Sequence, residues 1–459
     1  MMYRFIVILI SLVLFSNIAS TQSNSDALFI KEIYSHSLKG APIHNWLNEL
    51  CKDVGPRLSG SEGAAESVNF CTSKLSLLGV DEIVELPCQV PHWIRGGKEM
   101  VSTSLNGKEF QFRAASLGNS VSTGGKIFEA EVIEVFGLDT LEILADKIKG
   151  KIVFFNRPFD DTQINTGYGY GKAVDQRVYG PTRAAKYGAI GALVRSVTNA
   201  IDTFPHTGVT VYDSIYKIPA IAISTVDANI LSEAIRTTPG QTVKMYNECE
   251  NLGLTPSHSV IGEIKGSEFP DEIILVGGHL DSWDIGEGAH DDGVGCVHAL
   301  QVIETFKALD YTPKRTIRCV LFMNEENGLA GGRSYAKWSN DKNEFHIAAI
   351  ESDSGGFTPR GFTCTADESV FVDYLKNLKG LFGPLEAYDL FVKKGGGGAD
   401  ISPLKSQKGL LIGFKPDSQR YFDYHHTSED IFENVNKREL ELGAAAISSL
   451  VYLIDQYGI

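Results

Sequence analysis

Apolar residues along the chain change their period several times, and each change marks a different kind of element. Over Ala41–Gly79, "APIHNWLNELCKDVGPRLSGSEGAAESVNFCTSKLSLLG", they recur at helical spacing, which predicts two amphipathic helices separated at "GPRLSGS". From about Ser116 to Leu254 the texture shifts to short β-rich runs, "KIFEAEVIEV" and "GKIVFFNRP", divided by turns. A helical "GPTRAAKYGAIGALVRS" and a strand "IPAIAIS" follow, and "TGYGYG" reads as a glycine–tyrosine loop. This stretch is expected to be an α+β module inserted into a larger domain. Beyond Ser257 strand-length apolar runs ("EIILVGG", "RTIRCVLFMN", "HIAAIESDSGG") alternate with helical patterns ("DDGVGCVHALQVIETFKAL", "GGRSYAKWSN"). A long amphipathic helix, "KRELELGAAAISSLVYLIDQYG", closes the chain. That alternation predicts an α/β sheet.

The N-terminal pattern differs from all of these. Arg4, an apolar run from Phe5 to about Phe15 and then small residues form a secretory signal pattern, with cleavage expected near Ser20. The run is short for a membrane anchor, since a span needs roughly 20 apolar residues. No later segment is long and apolar enough to span, so a mature chain in the secretory route is expected, secreted or lysosomal. Residues up to about Ser37 read as a polar, helix-capable leader. The length of 459 residues favours two domains, or one with an insertion, over a single core. A formal charge of −15 argues against nucleic acid as a partner. Seven cysteines leave at least one without an intramolecular partner, and no C-x-x-C pair marks a thiolate metal site. Cys51 and Cys71 are a candidate disulfide, whereas Cys296 and Cys319 sit in apolar runs and read as core thiols.

Chemistry concentrates in "GGHLDSWDIGEGAHDDGVG" (Gly277–Gly295), where five carboxylates and two histidines follow the apolar run Ile273–Val276. Crowded carboxylates repel one another, and a bound cation is one way to offset that. Open α/β sheets bind ligands beyond the carboxyl ends of their strands. His279 follows one predicted strand, Glu325 and Glu326 the next, and Asp353 the third. Asp291 opens the intervening helix, and "YHHTSED" (Tyr424–Asp430) adds His425 and His426 before the last helix. Imidazole and carboxylate donors without thiolates suit zinc or a similar divalent ion. Two ions roughly 3.5–4 Å apart can share one carboxylate, and Asp291 is the natural bridge. His298 and His346 lie on patterned elements and read as structural, as do His92, His206 and His258; His290 reads as a loop residue within reach of substrate, and Asp292 as shaping the backbone after Asp291.

Together, "GGHLDSWDIGEGAHDDGVG", "MNEENGLAGG", "ESDSGG" and "YHHTSED" resemble the co-catalytic zinc aminopeptidase and carboxypeptidase family. The resemblance covers nearly the whole mature chain and includes "GPRLSGSEGAAES". It implies an α/β zinc-exopeptidase fold with a mixed central β-sheet flanked by helices, plus an inserted α+β domain resembling the protease-associated domain. The corresponding boundaries are 1–20 for the signal peptide, 21–115 for the leader and N-terminal part of the peptidase domain, 116–254 for the insertion and 255–459 for the catalytic domain. Carried over by motif, His279, Asp291 and Asp353 would bind one Zn2+, and Asp291, Glu326 and His426 the other. His426 is chosen over His425 because the family ligand is followed four residues later by an Asp, here Asp430. Glu325 matches the general base, Asp281 the acid that orients His279, and His425 a donor to the tetrahedral oxyanion. In "KKGGGGADISPL", Asp400 is either a contact for a substrate α-amino group or a loop-capping residue. The resemblance implies hydrolysis of short peptides, unblocked dipeptides foremost, and a homodimer. Two other readings use the same scaffold: a one-zinc acyltransferase like the glutaminyl cyclases, and an inactive relative that only binds.

Overall fold

The structure, a computed structural model, describes residues 24–213 and 217–459. The expected signal peptide at 1–20 lies outside the described residues.

Two eight-stranded sheets organise the chain. The first contains β1 (Glu82–Ile94), β10 (Glu250–Ile264), β11 (Phe269–His279), β12 (Arg315–Phe322), β13 (Phe345–Glu351), β14 (Pro359–Thr365), β15 (Phe391–Lys394) and β16 (Leu410–Pro416). Its order is β1-β10-β12-β11-β13-β16-β14-β15. The four central strands, β12, β11, β13 and β16, run parallel, while β1, β10 and β14 pair antiparallel to their inner neighbours, so the sheet is mixed. Helices cover both faces, and accordingly β12 is buried at every position. The helices Val294–Ala308 and Lys437–Tyr457 pack on one face; the second is started by Asn436, whose side chain accepts the Glu439 N–H.

The second sheet contains β2 (Glu99–Leu105), β3 (Lys108–Phe112), β4 (Ala114–Ser116), β5 (Phe128–Val135), β6 (Ile152–Phe155), β7 (Gly191–Arg195), β8 (Ala220–Ile223) and β9 (Thr242–Asn247), in the order β3-β2-β9-β5-β6-β7-β8-β4. Because β1 and β10 pair with each other in the first sheet, the chain leaves that sheet after Ile94 and returns at Glu250. Strands of the second sheet thus begin at Glu99, ahead of the change of texture at Ser116. Asn106 and Gly107, both at positive φ, turn the β2–β3 hairpin. The sheets meet through an aromatic contact in which Trp283 packs against Gly118, where a Cβ would fall 1.9 Å from the indole.

Several local expectations change. "TGYGYG" lies at the start of a helix, Thr166–Ala173, because Asn165 caps it and Gly169 packs against the Phe159 ring. The helical reading of "GPTRAAKYGAIGALVRS" holds only for Gly180–Lys186; Gly188 at φ +85° ends the helix, and Gly191–Arg195 is β7. The polar leader forms a helix over 24–39 that places Ile30, Ile33 and Tyr34 in the main core, with Asp26 accepting the hydroxyls of Tyr452 and Tyr457. Cys51 and Cys71 are not bridged: all seven cysteines are free and buried, and burial pushes the Cys71 thiol up to about 12. Each thiol packs as a small apolar group. Among the described residues no helix is long and apolar enough to cross a membrane.

Candidate metal centre

The parallel strands deliver their C-terminal ends to one rim. β11 ends at His279, the turn after β12 carries Glu325 and Glu326, and Asp353 follows the end of β13. His425 and His426 follow β16 through the short helix Tyr421–Tyr424, and Asp291 lies in the turn before the helix Val294–Ala308. Residues from five separate chain segments thereby meet around one carboxylate. Asp291 Oδ1 is 3.2 Å from His279 Nε2, and Asp291 Oδ2 is 3.2 Å from His426 Nε2. Asp353 Oδ1 lies 3.7 Å from His279 Nε2, and Glu326 Oε2 lies 3.1 Å from His426 Nε2.

The tautomers make this arrangement informative. His279 Nδ1 faces the Asp281 carbonyl at 2.9 Å, and His426 Nδ1 faces the Thr207 carbonyl at 3.2 Å. A carbonyl only accepts, so each Nδ1 carries a proton and each ring turns its Nε2 toward carboxylate oxygens. Lone pairs facing carboxylates repel unless a proton or a cation lies between them. Asp291 Oδ2 and Glu326 Oε1 are buried without a hydrogen-bond partner, even though Asp291 Oδ2 is close to His426. A void of about 10 Å3 opens beside Asp291, Glu326 and His426. Buried donors of this type and spacing fit divalent ions.

The proton equilibria show the same frustration. Burial lowers the pKa of His279, but Asp291 and Asp353 outweigh it and hold the group well above the ordinary imidazole value. Burial lowers His426, and Asp291 does not fully restore it. Asp291 is held well below the carboxylate range: burial would raise it, and the two imidazoles dominate. Burial pushes Glu325 and Glu326 well up, with neighbouring carboxylates adding to the effect. A bound dication would replace the proton on His279 and stabilise all these anions together.

Neighbouring groups fix the geometry. The Asp281 carboxylate accepts the N–H groups of Asn324 (2.7 Å), Glu325 (2.9 Å) and Glu326 (3.3 Å). It therefore shapes the Glu325–Glu326 turn, while its backbone carbonyl, at 2.9 Å, and its carboxylate, at 3.8 Å, both face His279 Nδ1. Asp292 accepts the N–H groups of His279 and Gly295 and so serves the backbone, as expected. Two contributors, Arg57 and Thr207, escaped sequence reasoning, and a third, Asp430, figured in it only by its spacing from His426. Asp430 accepts the N–H groups of His290 and Asp291, holding the shared carboxylate's backbone. Arg57, fully buried, donates to the carbonyls of Leu280, Glu287 and Gly288 and shapes the acidic loop. Thr207, from the second sheet's side of the molecule, donates its N–H to the His426 carbonyl as well as accepting from the ring. An arginine inside the "GPRLSGS" break was the available signal for Arg57; nothing local marks Thr207.

The remaining candidates separate clearly. His425 stacks on His426 with centroids 3.5 Å apart; its Nε2 lies 3.6 Å from Asp291 Oδ2, and its Nδ1 is buried without a partner. Burial and the His426 ring hold its pKa well below the ordinary value, so it is a neutral ring at the rim. Glu325 is half-buried there. His290 is enclosed rather than facing substrate: its ring lies parallel to those of both Phe357 and Tyr424, it accepts the Gly356 N–H at Nδ1, and burial pushes its pKa down to about 4. Asp400 is 1% exposed and caps nothing, since both carboxylate oxygens lack partners. It lies beside Gly332, where burial, with the charges of nearby Glu351 and Glu325 added, raises its pKa well above the ordinary carboxylate range. His298 and His346 are structural, each with both ring nitrogens hydrogen-bonded.

Comparison with known proteins assigns this fold and rim. The sequence pattern of peptidase family M28 matches residues 259–451. Carboxypeptidase Q of Mus musculus is 32% identical over 410 residues, covering 89% of this chain and 84% of the mouse protein. The Homo sapiens carboxypeptidase Q is 32% identical over 407 residues, covering 88% and 83%. A crystal structure of a peptidase M28 precursor from Shewanella amazonensis superposes with a TM-score of 0.88 at 30% identity, covering 94% of this chain and 97% of that one. The zinc aminopeptidase of Bacillus subtilis, 18% identical, shares the fold with a TM-score of 0.66, covering 89% and 94%. Fold and relatives define the class as a metallopeptidase. The chain belongs to peptidase family M28.

Proposed function

We propose that this chain is a co-catalytic metallo-exopeptidase that hydrolyses short peptides with free termini, dipeptides foremost. The observation that carries this reading is the division of Asp291: one carboxylate oxygen faces His279, and the other faces His426. His279, Asp291 and Asp353 would hold one Zn2+, and Asp291, Glu326 and His426 a second. When bound, such a pair polarises a peptide carbonyl and acidifies an attacking water.

The chain's own groups then handle the protons. Glu325, half-buried among carboxylates and with no side-chain hydrogen bond fixing it, accepts a proton from water and delivers it to the departing amine. Asp281 keeps Glu325 in place through the turn's N–H groups. His425, neutral and at the rim, donates a hydrogen bond to the oxygen that gains charge as the carbonyl is attacked. The N-terminal signal pattern supports entry to the secretory route, and a homodimer is the expected assembly.

Metal content and a single variant test the reading. Mass spectrometry of the intact protein should find two zinc equivalents. One would favour the acyltransferase reading, and none the binding-only reading. Glu325→Gln should keep the metal while lowering dipeptide turnover by about 10²–10⁴-fold; wild-type turnover in that variant would remove Glu325 as the base.

A further inference from the structure

A cavity of about 490 Å3 adjoins the metal centre, between the segment Ile164–Tyr168 and the outer strands of the first sheet. Ser354, next to Asp353, and Tyr421, whose ring lies 5.1 Å from that of His425, form its inner end. Its wall is basic in a chain of formal charge −15: Arg360, Lys393 and Lys415 line it, against the single acid Asp417. Arg360 is taken by Asp417 at 2.9 Å, and the Lys393 ammonium lies over the Phe391 ring. Lys415 forms no ion pair among the described residues. Its Nζ reaches Ser354 Oγ at 3.5 Å, and that hydroxyl in turn donates to the Asp353 carbonyl.

The register of the sheet explains why Lys415 stands there. β13 and β16 are parallel with Glu351 opposite Gly413. Two residues beyond that pair come Asp353, in the turn past the end of β13, and Lys415, within β16, so a metal-site acid and a half-buried ammonium lie near the same end of the two strands. Gly395 and Gly396 of the glycine run also line the cavity and put no side chain into it. A half-buried cation without a counter-ion is a binding site for an anion.

We infer that Lys415 is the anchor for the C-terminal carboxylate of the short peptide, which lies in this cavity with its scissile bond at the His279–Asp291–His426 rim. Building on the exopeptidase reading above, this assigns carboxylate recognition to one residue. Lys415 positions substrate and takes no part in proton transfer. The site demands a free carboxylate within about one residue of the cleaved bond, so dipeptides are held, and their C-terminal amides lose the ion pair.

The test compares matched dipeptides ending in a free acid or an amide, with wild-type enzyme, Lys415→Met and Lys415→Arg. Wild-type enzyme should prefer the acid by about 10–100-fold in kcat/KM, expressed in KM. Lys415→Met should collapse that ratio toward one, and Lys415→Arg should recover part of it, with thermal midpoints reporting that each variant is folded. Equal acid and amide rates in wild-type enzyme, or an unchanged ratio in Lys415→Met, would overturn the assignment while leaving the peptidase reading intact. Absence of any peptide hydrolysis by the zinc-loaded wild-type enzyme would instead overturn the exopeptidase reading, and this assignment with it.

Discussion

Two buried polar clusters sit on the same sheet and are built on opposite terms. Toward one side, Arg318 of β12 donates to Glu263, Glu344 and the Tyr335 hydroxyl; that hydroxyl bonds His346, which also bonds Gln407. Among the described residues, none of these side chains leaves a buried polar atom without a partner. At the strand ends, acids outnumber cations, imidazole Nε2 atoms face carboxylates, and Asp291 Oδ2, Glu326 Oε1 and His425 Nδ1 have no hydrogen-bond partner. A cluster completed from within is structural, and one that is incomplete awaits something from outside. Burial alone does not separate the two, because Arg318 and Asp291 are 4% and 5% exposed.

The sharpest way to break this contrast is to remove the shared acid. Asp291→Ala should abolish metal retention and lower peptide hydrolysis more than about a thousandfold. Adding Zn2+ to metal-stripped wild-type protein should raise its thermal midpoint, by linkage, and leave that of Asp291→Ala unmoved. Next in size, Arg318→Met leaves Glu263 as a buried acid and Glu344 as a half-buried one, both without their arginine, and should cost about 3–5 kcal/mol in denaturant unfolding. Its midpoint should still rise with Zn2+, since the damaged cluster holds no metal; a lost response would mean that the two clusters are one unit.

The smallest effect concerns acid. Burial lowers the His346 pKa from 6.5 to about 4. The folded state thus binds fewer protons than the unfolded chain in that interval, so stability is fully present above pH 6.5 and declines as pH falls toward 4. His346→Gln should flatten the acid limb of the stability curve by at most about 3 kcal/mol. An unchanged slope would show that this histidine titrates normally.

The rim was largely legible in the sequence because each of its acids and histidines follows an apolar strand or opens a helix. Strand order then brings His279, Glu326 and Asp353 to one edge, and Asp291 follows from its place beside His279. What was not legible acts through the backbone: Arg57 and Thr207 pair with backbone groups far away in sequence, as does Asp430, which the sequence marked only by its spacing from His426, and no periodicity records such pairings. The start of the second sheet was missed although Asn106–Gly107 is a two-residue hairpin signal, because β2 and β3 are half polar and resemble loop. Three glycines hid the helix at Thr166–Ala173, whose formation depends on the Asn165 cap and on close packing by Phe159.

The clasp between Thr207 and His426 has a consequence for how such a molecule can change over time. His426 sits at φ +63°, and its carbonyl and ring are both tied to a residue carried by the excursion between β1 and β10. Excising that excursion and joining Ile94 to Glu250 would spare every first-sheet strand yet leave the last histidine without its tether. Any shortening of the excursion that removes Thr207 would take away both hydrogen bonds that tie the last histidine to it.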